Sequence, residues 1–507
     1  MSNSEAGRQY DVVIVGGGSA GAVLANRLSA DPSRSVLLLE AGTAYAPADY
    51  PDVLLNSARV GGDEAHDWGY HAHVGPLDRE IEAPRGKVLG GSSAVNAAVA
   101  LRARPSDFDA WAAHGLTGWS FDEVLETYRL LENTPDGDDA FHGRSGPFPI
   151  RQRAYDELTP SLKAFIDASA QHGFTRIKDP NADKQDGVAA YPLNVVDGVR
   201  QNTGLAYLSA EVRQRPNLTI TGGTEIDKVL FTGKTATGVR TTDGVVHHGA
   251  EIILSAGAYG SAAILLRSGV GPAGDLARLG IEVTADLPVG KRLQDHPFYY
   301  NAYALRPGAL EMSPTAGAIV WTASSQARGD ELDLHISATH LIDPAAGPTG
   351  GAIVLAIAVV RPESLGTVSL RSTDPHDAPV IDYNFLATAR DRSRMLEGVK
   401  LSRAIAREGA FAEVTASELM PGEQVRDDAE LETLIEQQLA SYQHPTSTVP
   451  MGGAGDEGAV VDGSGAVKGV DGLRVVDASI LPEVPSTATN LTTIMVAEHI
   501  YRKFLAR

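Results

Sequence analysis

The 507-residue chain contains no cysteine. That absence excludes disulfides, thiolate nucleophiles, iron–sulfur clusters and thiolate-held zinc. Positive charge is scarce: 43 Lys and Arg stand against 64 Asp and Glu, a formal net charge of −21. A surface that acidic repels phosphate backbones and anionic headgroups, so neither nucleic acid nor a membrane is an expected partner. Long apolar runs are missing too, and stretches such as residues 352–360 fall far short of the ~20 residues of a membrane-crossing helix. Residues 1–9 are short and polar, without the apolar core of a secretory signal, and the expected location is the cytoplasm. No short-period repeat, low-complexity tract or flexible linker interrupts the chain. What remains is globular composition, 43% hydrophobic and 21% charged, at a length that suits two or three domains and a large core.

Residues 10–15 form a β-branched run, followed by a glycine cluster at 16–21, a helical stretch at 22–29 and a second buried strand at 36–39. This is the size and order of a βαβ nucleotide-binding unit. Further strands are expected at 218–221, 228–232, 251–255, 283–285 and 473–476. If these wide-spaced pieces share one sheet, the stretches between them form a second domain by insertion. Around 150–200 helical and loop signals mix, while 298–441 carries alternating runs at 332–338 and 367–371 that suit antiparallel strands. Helical spacing appears at 391–409 and 428–439. The expected fold is α/β: a Rossmann-like cofactor domain from 1–150, 200–297 and 442–507, interleaved with a substrate domain from 151–199 and 298–441 built on an antiparallel sheet with helices.

Gly16, Gly18 and Gly21 satisfy G-x-G-x-x-G directly after a strand and at the mouth of a helix, with Ser19 and Ala20 inside the motif. The first glycine permits the turn, the second lets backbone approach a pyrophosphate, and the third allows close helix–strand contact. Glu40, followed by Ala41, ends the second strand 19 residues beyond Gly21, where a carboxylate can accept ribose hydroxyls. An acidic partner disfavours a 2′-phosphate, which leaves FAD or NAD. The plainer alternative is a glycine-rich turn with a solvated Glu40. Gly90, Gly91, Ser92 and Ser93 can present consecutive amides and two hydroxyls to a phosphate or flavin edge, with Asn96 adding a donor and an acceptor, or can be a serine-capped turn.

Of the 14 histidines, His66, His71 and His73 cluster most tightly but lack the spacing of a metal site, and no metal is expected. His247 and His248 suit a solvated hairpin, and His296 a structural turn. His444, before Pro445, is an imidazole of the kind that accepts a hydroxyl proton near neutrality. Asn490 reads as the N-cap of a final helix; its amide can hold a hydroxyl but cannot exchange a proton.

The segment from Arg85 through Gly90, Gly91 and Asn96 to Ala100, continuing to Ala103 and Asp109, resembles the first signature of the glucose-methanol-choline (GMC) oxidoreductases, which use FAD. Ser255 to Ala258, Ser261, and Ser268 to Gly271 resemble the second, departing at Ala262, where proline is usual. Leu287 to Gly290, Asp295 to Pro297, Arg361 to Ser364, and the run from His444 through Gly452 and Asp477 to Asn490 add further landmarks. The resemblance spans Tyr10 to Ala497. It implies FAD-dependent oxidation of a primary or secondary alcohol to the carbonyl and leaves the substrate open.

By the same resemblance, Ser93, Asn96 and Ala97 lie against pyrophosphate and flavin, Ile226 offers its backbone to the adenine, and Asp477 with Ala478 borders the ribityl chain. His444 matches the flavin-facing histidine, and Asn490 a second position that holds histidine or asparagine. The expected chemistry has His444 take the hydroxyl proton while carbon gives hydride to flavin N5, Asn490 holds the oxygen, and dioxygen or a quinone-like acceptor reoxidises the flavin. Some members bond FAD through a histidine where this chain has Val95, so non-covalent FAD is expected. The alternative on this scaffold is a cyanohydrin-cleaving lyase whose flavin does not turn over. Trp321, His335 and His340 are candidates to line the substrate cavity.

Overall fold

The computed structural model describes residues 8–75 and 79–506. Of the polar N-terminal segment, residues 1–7 lie outside the described residues. The first β-branched run forms the strand Gln9–Val15, and the glycine cluster turns the chain into the helix Gly21–Leu28. Gly16 adopts φ 94°, which L side chains rarely do, and a Cβ there would stand 2.4 Å from the Ser255 carbonyl oxygen. A Cβ on Gly21 would stand 1.9 Å from the Gly16 carbonyl oxygen. Helix and strand can pack this closely only because both side chains are missing.

Val36–Leu39 pairs parallel with the first strand, Val12 opposite Val36 and Ile14 opposite Leu38, and takes Leu218–Thr221 as its outer parallel neighbour. On the other side lies Val246–Leu254. The C-terminal end of that long strand pairs parallel with Leu473–Val475, and its N-terminal end antiparallel with Thr235–Thr241, which is paired to Ile226–Thr232. Strands far apart in the chain thus share one sheet. Residues 283–285, expected as another strand, do not form one: Thr284 and Ala285 donate to the Gly269 carbonyl, and Ala285 accepts from Gly271. Their backbone groups are used up against the turn that ends the helix Gly257–Arg267.

The second large sheet is antiparallel, in the order Thr415–Met420, Pro297–Leu305, Ala352–Val359, Leu334–Thr339, Ala316–Thr322, Gly187–Ala190, with Ala440–Ser441 also paired to Pro297–Leu305. Alternation sorts its side chains. Tyr299, Tyr303, Ile353, Leu355, Ile357, Leu334 and Ile336 belong to the main core, on the face where the helix Ala389–Ala406 packs. A Cβ on Gly398 of that helix would meet Ile357 at 2.7 Å. Phe298, Ala302, Val354, Ala356 and Ala358 form a separate cluster on the opposite face, with Tyr300 and Tyr442 packed against it. The 367–371 run departs from expectation: only Thr367–Ser369 is a strand, and it joins Val380–Asp382, His71–His73 and Glu80–Glu82 in a small third sheet that unites distant parts of the chain. The expected helices at 391–409 and 428–439 appear as Ala389–Ala406 and Asp428–Gln438. No helix among the described residues is long and apolar enough to cross a membrane.

The glycine contacts give the first prediction. Gly21→Ala should lower the free energy of unfolding by about 1–3 kcal/mol or more, the usual cost of overpacking, as read by urea denaturation. Gly274→Ala, where a Cβ meets nothing within 4 Å, should stay within about 0.5 kcal/mol of the parent or exceed it. Equal effects in the two variants would rule out the close backbone approach as the reason for glycine at 21.

Candidate active site

A cavity of about 630 Å³ opens where the C-terminal edge of the parallel sheet meets the free face of the antiparallel sheet. Its walls include Gly16, Gly18, Ser19, Ala20, Glu40, Ala41, Gly91, Ser92, Asn96, Ala97, Ile226, Asp477, Ala478, His444 and Asn490. Of the expected site residues, Gly21, Gly90 and Ser93 stand behind this surface. Gly21 makes the helix–strand contact described above. Gly90 adopts φ 102°, and the Ser93 hydroxyl donates to its carbonyl at 2.5 Å while accepting from the Thr203 amide at 3.0 Å. Ser93 therefore staples the loop whose neighbours face the cavity.

The two glycine loops lie back to back. A Cβ on Gly91 would come within 2.8 Å of Gly18 Cα, and one on Gly18 would stand 3.7 Å from Gly91 Cα. Their bare backbones leave a cradle wide enough for a pyrophosphate to meet main chain directly. Glu40 is buried beside it; Oε2 accepts from the Gly17 amide and Oε1 from the Gly42 amide, each at 2.8 Å. Burial pushes this carboxyl up to about 7 despite those donors. Each oxygen keeps a second lone pair for a ribose hydroxyl. Asp477 accepts from the Gly257 amide at 2.9 Å, from Ser261 Oγ at 2.5 Å and from the Ser479 amide at 2.8 Å, which pins the turn after Leu473–Val475 against the helix Gly257–Arg267. Glycine cradle, buried acidic ribose acceptor and a long cavity fit a dinucleotide such as FAD.

At the other end of the cavity, His444 follows the short strand Ala440–Ser441. Its Nδ1 lies 3.0 Å from His296 Nδ1, with the rings edge to face. His296 was expected in a structural turn. It lies in the Asp295-His296-Pro297 segment that opens the strand paired with Ala440–Ser441, and is fully buried against His444. Asp295 organises both: Oδ1 accepts from the His296 amide at 2.6 Å and the His444 amide at 2.8 Å, and Oδ2 from Ser441 Oγ at 2.6 Å. Burial pushes His296 down to about 3, and burial followed by the fields of His296, Arg85 and His335 holds His444 well below the usual histidine range. The imidazole is neutral, with a lone pair to offer.

Asn490 is not the N-cap. Ala488 takes that position, and Asn490 sits in the first turn of the helix Thr489–Ile500. Its Oδ1 accepts from Ser19 Oγ at 2.7 Å, tying this helix to the first glycine loop, while the buried Nδ2 has no partner and is free to donate to a ligand oxygen. The approach to this helix is held by Asp107, which accepts from the Ser486 amide and hydroxyl and pairs with Arg361 at 2.8 Å. Of the substrate-side candidates, His335 lines the cavity; Trp321 packs behind His335, ring centroids 4.8 Å apart, and His340 is engaged elsewhere by Thr159, Ser161 and the Ala352 carbonyl. Missed from sequence were the positioning role of Asp295 and the aromatic wall of Phe298, Tyr300 and Tyr442. Only the adjacency of Asp295 and His296 ahead of a strand hinted at the former. Among the described residues no group of three or more His, Asp or Glu could hold a metal ion.

A nucleotide cradle at the edge of a parallel sheet and a neutral imidazole in the same cavity define a nucleotide-cofactor oxidoreductase of the α/β class. Comparison with known proteins takes this further: the N- and C-terminal patterns of the GMC oxidoreductases match residues 10–298 and 362–497, and the chain belongs to that family. It is 36% identical to 5-(hydroxymethyl)furfural oxidase of Methylovorus sp., over 97% of this chain and 98% of that one. It is 33% identical to an oxygen-dependent choline dehydrogenase of Photobacterium profundum, over 96% and 92%. The solved pyridoxine 4-oxidase of Mesorbium loti superposes with a TM-score of 0.90 at 33% identity, over 98% of this chain and all of that one. The chain is thus an FAD-dependent oxidoreductase.

Asp295 yields a pH prediction. Burial raises its carboxyl from 3.8 to about 6, so between these values the folded protein keeps a proton that the unfolded chain has released, and stability falls as pH rises. Below this window both states are protonated, and above it the penalty is constant. Asp295→Asn should make the decline shallower by Asp295's share and leave that of the buried Glu40, seen by comparing urea unfolding of parent and variant across pH 4–6.5. An identical slope in both would show that Asp295 titrates normally.

Proposed function

We propose that the protein oxidises a primary or secondary alcohol to the carbonyl, with His444 as base. The observation that carries this reading is the geometry of His444: a neutral, half-buried imidazole lining the cavity, with one nitrogen turned to His296 and its backbone held by Asp295. FAD, when bound, supplies the acceptor for the hydride that leaves the substrate carbon. The chain's own part is proton and position. His444 takes the hydroxyl proton, and burial favours its return to the neutral form after each turnover. Asn490 Nδ2 donates to the substrate oxygen and cannot take up a proton, which leaves the base role to the histidine. Turnover would need dioxygen or a quinone-like compound as terminal acceptor of the two electrons removed from the alcohol. Val95, which lines the cavity, offers only carbon, so the flavin is held without a covalent bond.

His444→Ala should retain FAD yet slow anaerobic flavin reduction by ~10²–10⁴. Asn490→Ala should lose less, on the order of ~10–100-fold. A larger loss at Asn490 than at His444 in stopped-flow measurements would reverse the assignment of the base. Acid precipitation of purified protein should leave all yellow colour in the supernatant; flavin that remains with the washed pellet would contradict non-covalent attachment.

A further inference from the structure

The antiparallel-sheet half of the cavity is built for a particular kind of alcohol, an inference that rests on the oxidative reading above. His335 lines the cavity, is 1% exposed, and neither ring nitrogen completes a hydrogen bond to a protein group. Its ring stands edge-on to Trp321. Burial, then the fields of His296 and Arg104, hold it neutral, against the nearby Ser486 backbone, which favours a proton on it without meeting full hydrogen-bond geometry. A neutral imidazole carries one donor and one acceptor, and buried polar groups of this kind are ordinarily satisfied. A ligand that reaches His335 would satisfy them.

Ser337 is the next side chain on the same face of the strand, two residues on. Its hydroxyl lies 2.7 Å from Tyr442 Oη and 2.5 Å from Tyr191 Oη, a chain of hydroxyls along the wall. Phe298 and Tyr442 are stacked, with ring centroids 4.1 Å apart, and Ala356 faces Tyr300 across the sheet, so flat apolar surface adjoins open space. Charge is the last observation. Among the described residues, the carboxylates that line the cavity are Glu40, Glu225, Asp377 and Asp477. Three lie beside strands of the parallel sheet and Asp377 lies between Thr367–Ser369 and Val380–Asp382; none comes from the antiparallel sheet. Asp295 sits behind His444, outside the lining, with both oxygens engaged. Among the charges near His444, the cation of Arg85 helps to keep the imidazole unprotonated.

We infer that this half of the cavity takes an uncharged, flat alcohol whose second polar group bonds to His335, and that it discriminates against a fixed cation. Aromatic faces attract a cation, but desolvating one without a counter-charge, near an arginine, outweighs that attraction. The net charge of −21 acts at long range and does not line the pocket.

The test uses the flavin-loaded enzyme and two readouts: anaerobic flavin bleaching, and spectral titration of the oxidised flavin, which reports binding without turnover. Choline and 3,3-dimethylbutan-1-ol have the same shape and differ in charge; the neutral alcohol should be favoured at least ~10-fold in both readouts. The better of 3- and 4-hydroxybenzyl alcohol should exceed benzyl alcohol by at least ~10-fold, and His335→Phe should bring that ratio to about 1 while His335→Gln restores part of it. Equal or better use of choline, or a hydroxybenzyl preference that survives His335→Phe, would overturn the inference. If no alcohol bleaches the flavin, the oxidative reading falls, and the binding ratios still decide this one. The choline comparison needs no variant and stands even if the substituted proteins do not fold.

Discussion

One buried carboxylate, Asp295, joins the two halves of the molecule where the site lies. It sits just before the strand Pro297–Leu305, at the point where the chain enters the antiparallel sheet, and accepts hydrogen bonds from Ser441 and His444, where the chain comes back. A carboxylate without donors could not be kept in that interior. Three donors on two distant segments therefore fix how the sheets meet. His444 inherits its position from that meeting, as does His296, and the cavity exists because the antiparallel sheet presents one face there with no helix over it.

The rest of the site follows a division of labour between backbone and side chain. At the parallel sheet, recognition is made by main chain: Gly16, Gly18 and Gly91 remove the side chains that would keep a phosphate away, and Glu40, Ser93 and Asp477 hold the loops in shape from behind or beside. At the antiparallel sheet the wall is side chains alone, in the period of two that a strand imposes: His335 and Ser337 toward the cavity, Leu334 and Ile336 toward the helix. A backbone cradle suits an invariant cofactor. A side-chain wall can be rewritten residue by residue while the fold stays, and relatives of this chain bear names as different as choline dehydrogenase and 5-(hydroxymethyl)furfural oxidase.

Three of the buried polar atoms without partners belong to residues that line the cavity. Asn490 Nδ2 and both nitrogens of His335 lack hydrogen-bond partners, and all three border the same cavity. Proteins seldom leave such groups unmet in their interiors. Unfilled donors and acceptors that face one space describe, in outline, the ligand that would fill it.

The local signals in the sequence were strong wherever structure is set by neighbours in the chain. A glycine cluster between two β-branched runs, with an acid at the end of the second, can do little except turn a strand into a helix and present amides, so Gly16–Gly21 and Glu40 were legible directly. The helices at 391–409 and 428–439 were legible for the same reason, since helical spacing is a local property. Residues 283–285 misled because a β-branched residue says nothing about whether a sheet edge is within reach, and their backbone found the turn at Gly269 first. Asn490 was displaced from its expected cap by two residues, a boundary that depends on how the chain arrives from Ser486. His335 was legible only as a cavity candidate of unknown facing, and His296 only as part of a turn. Alternation shows that His335 and Ser337 share a face, but not which face the helix Ala389–Ala406 covers, and nothing near His296 announces that His444, 148 residues away, will stand beside it. The sequence by itself determined the cofactor cradle, because that is backbone geometry written in adjacent residues; only the tertiary structure decided the reacting end, because its groups are brought together by the pairing of strands from distant parts of the chain.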